Sequence, residues 1–355
     1  MSWLFNHIEA IWDNLKADKA KSRTHFTISR DHIDDGDRPS SPFKAGQHYF
    51  QMIINEMFLA NERQWFANYD PMAFVASSYI YCGQLETLPL LVGPGMLQQF
   101  GQEVPLGMIF QNTPVSGLHP YRGGPLTLTL ILNRLQRQNN ADKLLQVVES
   151  ISGAVNPSTA FSIYLKIAKT VLDGFETLLG LQQTIPIIGY RTTINPDIGQ
   201  VFRPTYFVLI DADAQWLDQD KFWVRGSRLY YGHEQTTVQP YRNSDFILFS
   251  IAQGDKRTDE HALPFYPLWK ATQNLGAQPG QHFWSEAKAQ FNTLKRELIN
   301  SPDLTKADSQ RLLDQYLKEL IQLHREAELL GQLAPKQLSD TEAELHQIAD
   351  KLDKA

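Results

Sequence analysis

Asp211 and Asp213 follow directly on a run of five apolar residues, Tyr206 to Ile210. Two carboxylates leaving the end of a rigid strand can share a hard cation, and phosphoryl- and glycosyl-transfer enzymes hold Mg²⁺ or Mn²⁺ in this way. The pair is the candidate metal site of a hydrolase or metal-dependent transferase. Ala214, Gln215 and Trp216 follow it, however, where a dehalogenase-type loop needs a hydroxyl or β-branched residue. With Asp218 and Asp220 the pair makes an acidic loop, and acidic loops are usually solvated surface. The default expectation is no metal.

Nucleophilic chemistry has three candidates, Cys82, His119 and His233. Cys82 is the only cysteine and ends a predicted strand, where a thiol is more often a small buried hydrophobe than a nucleophile. Ser116 stands three residues before His119, but no G-x-S-x-G elbow surrounds it. Triads also assemble from distant positions, so these residues define a hydrolase alternative without establishing it. The acidic stretch Asp31, His32, Asp34, Asp35 and Asp37 fails the EF-hand spacing, because counting from Asp31 puts Ile33 third and Pro42 twelfth. No P-loop, G-x-G-x-x-G, H-E-x-x-H or C-x-x-C occurs, and no cofactor is expected.

The elements that would position such residues are read from periodicity. Leu4, Ile8, Ile11 and Leu15 repeat at four, three and four, and Trp3, Phe5 and Trp12 widen the stripe, which predicts an amphipathic helix over residues 1–20. Residues 21–46 lose periodicity and collect Asp, Pro, Ser and Gly, which predicts a polar linker. Phe50, Ile53, Ile54, Met57, Phe58 and Trp65 predict a second helix from Gln47 to Asn68, ended by Asp70-Pro71.

Beyond Ala73 the period becomes two. Strands are predicted over Phe74–Tyr81, Leu88–Val92, Leu106–Gln111 and Leu126–Leu132, with a turn at Gly83. Residues from Asn156 to Leu179 show one narrow polar stripe, Lys166, Lys169, Asp173 and Glu176, so a buried helix is predicted there. Thr184–Thr193, Pro204–Asp211, Phe222–Val224, Arg228–Tyr231 and Phe246–Ile251 follow as strands, with a hairpin turn at Arg225-Gly226-Ser227. Short connections favour antiparallel pairing. The fold class expected is α+β: a mainly antiparallel, sandwich-like sheet core with an inserted buried helix, an N-terminal amphipathic helix and an α-helical C-terminal appendage.

That appendage is visible in composition. Residues 281–355 hold 23 of the chain's 72 charged residues but only 4 of its 39 aromatic ones, which sets the boundaries at 1–46, 47–280 and 281–355. Leu313, Leu317 and Leu320 share one helical stripe and, with Trp3, Phe5 and Trp12, are the candidate interaction residues. A net charge of −6 over 355 residues argues against a nucleic-acid footprint. One cysteine and no long apolar run point to a reducing, cytoplasmic setting.

These features converge on a non-catalytic scaffold or regulatory component of a multi-protein, bacterial-type system. It would bind a protein partner or a second copy through its helical arms and aromatic-rich core. A membrane-surface effector that exposes an amphipathic helix is the remaining alternative, since Lys16, Lys19, Lys21 and Arg23 flank the N-terminal aromatics.

Overall fold

A computed structural model describes residues 6, 8–9, 12–13, 24–34, 41–60, 63–64, 67–81, 83–92, 113–114, 117–136, 168–174, 176–177 and 184–333. Among the described residues the architecture is α+β, with three antiparallel sheets and four helices. The first sheet orders β1 (Thr24–Thr27), β10 (Thr205–Ile210), β14 (Phe246–Gly254) and β2 (Tyr49–Phe58), with β6 (Thr113–Pro114) and β7 (His119–Pro120) both pairing with β2. The second runs β5 (Gln84–Val92), β4 (Ala67–Tyr81), β8 (Leu126–Gln136) and β9 (Thr184–Ile194), with the short β3 (Arg63–Gln64) folded back on β4. The third is β11 (Phe222–Arg225), β12 (Arg228–Tyr231) and β13 (Gln239–Pro240). The helices are α1 (168–174), α2 (Tyr266–Gly276), α3 (Gln281–Asn300) and α4 (Lys306–Leu333).

The two large sheets share one apolar core, in which Leu126, Leu128, Leu130 and Leu132 of β8 meet Phe207, Leu209, Phe249 and Ile251 of β10 and β14. The leucine alternation therefore does face a core. The opposite face of β8 is buried as well, through Thr127, Thr129 and Ile131. Two hairpins form where turn residues place them. Gly83 takes φ +76 between β4 and β5, and Gly226 and Ser227 both take positive φ between β11 and β12, as a tight turn matched to strand twist requires. In α1 the alternation is helical as expected: Ala168, Val171 and Leu172 are buried while Lys169 and Asp173 are exposed.

Two expectations are corrected. The predicted helix Gln47–Asn68 is the central strand β2. Its core-facing residues are Phe50, Met52 and Ile54, then Met57 and Leu59, so the parity changes at Asn55. There the register against β14 slips, Ile54 pairing with Phe249 and Glu56 with Leu248, which leaves Asn55 as the extra residue of a β-bulge. Period two broken by one inserted residue puts the core residues Phe50, Ile54 and Met57 at i, i+4 and i+7, which is also the spacing of a helix face. The predicted linker 21–46 likewise supplies the edge strand β1, with Phe26, Ile28 and Phe43 buried.

The chain divides into two compact units, Met1–Leu263 with Pro302–Asp308, and Pro264–Ser301 with Ser309–Ala355. Within the helical unit Trp269 stacks on Tyr316 at 4.2 Å, and Trp284 stacks on His324 at 4.1 Å. Ala287, Phe291, Leu294 and Leu298 form the buried stripe of α3. The expected strand Leu106–Gln111 lies outside the described residues.

Candidate functional site

Each residue singled out by chemistry has a definite place. Asp213 caps a 3₁₀ turn: its carboxylate accepts from the Gln215 backbone N–H at 3.2 Å and from Gln215 Nε2 at 2.9 Å. The Asp211 backbone N–H donates to the Asp245 carbonyl at 2.9 Å, carrying the strand end onto the neighbouring strand. Among the described residues no three His, Cys, Asp or Glu side chains gather as a metal site. His119 is sealed in β7 at 1% exposure, whereas His233 is exposed in the loop after β12. The structure does not bring the two together, and Cys82 and Ser116 lie outside the described residues.

The expected arm residues divide in the same way. Leu313 and Leu320 are buried within the helical unit, where Leu320 fills the space left by Gly276; only Leu317 of that stripe is exposed, at 42%. A strict i, i+3/i+4 stripe is the face a helix buries first, so the stripe named the core of the bundle. Trp3 and Phe5 lie outside the described residues. Trp12 is described, in helical backbone, and its ring lies over Gly189 of β9, where any side chain would collide with it. Glu9 on the same turn accepts from Arg191 of β9 at 2.7 Å. No helix among the described residues is long and apolar enough to cross a membrane.

What periodicity did not reveal is a polar clasp inside the sheet unit. It gathers Tyr49 from the start of β2, Leu118 and His119 from β7 and its approach, Arg257 from the loop after β14, and the segment Asp303–Asp308. Tyr49 Oη donates to Asp308 Oδ2 at 2.9 Å and accepts from the Thr305 N–H at 3.0 Å. The Arg257 N–H donates to Asp308 Oδ2 at 2.9 Å. The Arg257 guanidinium, 1% exposed, makes a two-pronged pair with Asp259 at 2.8 and 2.9 Å and donates to the carbonyls of Leu118 at 3.0 Å and Asp303 at 3.5 Å. Arg122 adds a bond to the Leu304 carbonyl at 2.7 Å. A fork of donors on a planar cation is the group best suited to tying several carbonyls and a carboxylate together.

Compared with family models, curated proteins and solved structures, the chain matches none. What the clasp can do must be read from its own geometry. Burial, and next the Asp308 carboxylate, push the Tyr49 hydroxyl well above its ordinary range, so it stays protonated as a donor. Burial, and next the Arg257 cation, hold His119 down at about 3, so it is neutral in the folded chain. The recess beside it, lined by Phe50, Tyr79, Tyr121, Arg122 and the two glycines Gly123 and Gly124, has room for about one water molecule. Ligand sites usually need roughly 300–1,000 Å³. These groups are engaged with one another and hold a segment in place.

His119 carries a testable consequence. The folded state keeps it neutral down to about 3, while the unfolded chain takes up a proton below its ordinary value of 6.5. The unfolded state then binds more protons, so this contribution is complete above pH 6.5 and is lost as pH falls, by up to about 1.4 kcal/mol per pH unit. His119→Phe is expected to flatten that part of the acid limb in urea titrations between pH 7.5 and 4.5. Parallel pH profiles for the variant and the parent chain would refute it.

A second buried charge lies toward the other end of β2 from Tyr49, on the face turned away from the main core. The bulge at Asn55 turns Glu56, 0% exposed, toward the third sheet. There it accepts from the Leu229 N–H at 2.7 Å and from Arg242 at 2.8 Å. A third pair, Arg134 of β8 with buried Asp245, joins the two large sheets, and Asp245 also accepts from the Ala60 N–H at 2.7 Å.

Proposed function

We propose that this protein is a non-catalytic scaffold or regulatory component that works by binding a protein partner or a second copy of itself. The observation that carries this reading is the surface of the helical unit. Ile299 of α3 and Leu317, Leu329 and Leu330 of α4 stand 58, 42, 59 and 68% exposed. Large aliphatic side chains left exposed on a helical hairpin are the chemistry a docking partner uses, because covering them removes apolar area from water at about 25 cal/mol per Å². Leu330 also lies in phase with the buried Tyr316, Leu320 and Ala327, so the core stripe of α4 runs on into solvent. The N-terminal segment, expected as a second attachment arm, has its described residues Glu9 and Trp12 set against Arg191 and Gly189 of β9, so the helical unit is the part that carries the reading.

Deleting residues 281–355 would be a poor test, since it removes Asp303 and Asp308 and opens the clasp. Paired substitutions, Leu329→Asp with Leu330→Asp, leave the clasp intact. The full chain, purified with a tag from its native cell, is expected to elute as a homo-oligomer or a stoichiometric complex by light scattering, and the paired variant as a monomer. A parent chain that is already a lone monomer would overturn the reading.

A further inference from the structure

We propose that the outer face of the β11–β12 hairpin is a docking site for an acidic segment of a protein partner, an inference that rests on the protein-binding reading above. The hairpin has two faces. Phe222, Val224 and Leu229 are fully buried, while the register pairs Trp223 with Tyr230 and Arg225 with Arg228 on the other side. Arg225 and Arg228 are therefore like charges directly opposite each other, beside the turn. Such a pair destabilises a hairpin unless something negative lies over it.

The negative charge facing this pair is incomplete. Asp34 stands 3.8 Å from Arg225 Nε, beyond hydrogen-bond range, and Arg228 feels Glu56 only through space, because both Glu56 oxygens are taken by Leu229 and Arg242. The Nε atoms of Arg225 and Arg228 are both shielded from water, and neither has a hydrogen-bond acceptor among the described residues. What the register leaves on this face is two guanidinium groups side by side with one distant carboxylate, a local excess of positive charge that an acidic group from outside would offset.

The surroundings indicate which acceptor. His32 stacks on Trp223 at 3.9 Å and 11°, its Nδ1 lies 3.1 Å from the Phe222 carbonyl, and Trp223 Nε1 donates to the Gly232 carbonyl at 3.1 Å. Trp223 is thus held rigidly, and its other neighbours are Tyr230 and two arginines. Trp, Tyr and Arg on a preorganised surface are the residues that dominate protein–protein hot spots. A nucleic-acid strand would need a wider basic surface than two arginines beside Asp34 in a chain of net charge −6. A carboxylate-bearing peptide needs only a local one.

The test uses the full chain on an array of short acidic, neutral and basic peptides of matched length, with single-stranded DNA and inorganic phosphate as competitors. Expected is a clear preference for acidic peptides that weakens with salt, resists both competitors and falls about tenfold or more in Arg225→Gln with Arg228→Gln. Arg225→Gln alone, beside the turn, serves as a second variant with its own smaller loss should the pair compromise folding. No acidic preference, binding unchanged in these variants, or displacement by DNA or phosphate would each overturn the proposal. Failure of this test with the α4-dependent assembly intact would sink the hairpin site alone; acidic-peptide binding by a lone monomer would sink the oligomer reading and leave this one standing.

Discussion

Methionine in place of Arg257 is expected to cost the fold about 3–5 kcal/mol, the range for removing one partner of a buried ion pair. The change strands Asp259 and leaves the carbonyls of Leu118 and Asp303 without the donor that serves both. Methionine fills most of the vacated volume, so the loss reports charge and hydrogen bonding more than a cavity. Because Asp308 accepts from the Arg257 backbone N–H, that bond survives, and the damage is confined to the guanidinium. Chemical denaturation monitored by tryptophan fluorescence measures it. A change under about 1 kcal/mol, typical of an exposed pair, would show that the clasp contributes little.

The second large effect concerns Glu56. Replacing Arg242 by methionine leaves a fully buried carboxylate with, among the described residues, the Leu229 N–H as its hydrogen-bond donor and the more distant Arg228 as its cation. Burial already raises its proton affinity above that of an ordinary carboxyl, with Arg242 opposing the rise. A carboxyl raised in the folded state binds its proton more tightly there than when unfolded. Its contribution is therefore most favourable below the ordinary carboxyl value and is lost as pH rises through the folded one. Removing Arg242 lifts the folded value further and widens that window upward. The variant is expected to lose about 3 kcal/mol at pH 8 and distinctly less at pH 5, where a protonated Glu56 needs no cation. Equal losses at both pH values would contradict this.

These two effects show where sequence reading reaches and where it stops. The hairpins at Gly83 and at Gly226-Ser227 were legible because a tight turn is a local requirement on φ, and the strands beside them alternate cleanly. Strand β2 was not, because one bulged residue gave it helical spacing. That same residue is what sends Glu56 away from the main core. The clasp was out of reach for a different reason: Tyr49 and Asp308 stand 259 positions apart, and Arg257 and Asp308 stand 51 apart. Tyr, Arg and Asp are also ordinary surface residues until a fold buries them. The one available hint was Asp303-Leu304-Thr305 ahead of a helix, which reads as a capping signal and does cap: Thr305 Oγ1 accepts from the Asp308 N–H at 3.1 Å. Leu313 and Leu320 were legible as a stripe. Whether a stripe meets its own bundle or a partner depends on what packs beside it.

By itself the sequence determined the α+β class, the antiparallel pairing implied by short connections, the helical character of 281–333 and the acidic character of the chain; the helix Tyr266–Gly276 was not foreseen. Those properties follow from local dihedral preferences and from the period of apolar residues, and both act over a few residues at a time. Only the tertiary structure decided which charges are buried, which apolar stripe became core, and which arginines were left facing each other on the β11–β12 hairpin. Burial and charge pairing are set by residues distant in the chain, and their energies exist only once the solvent has been excluded between them.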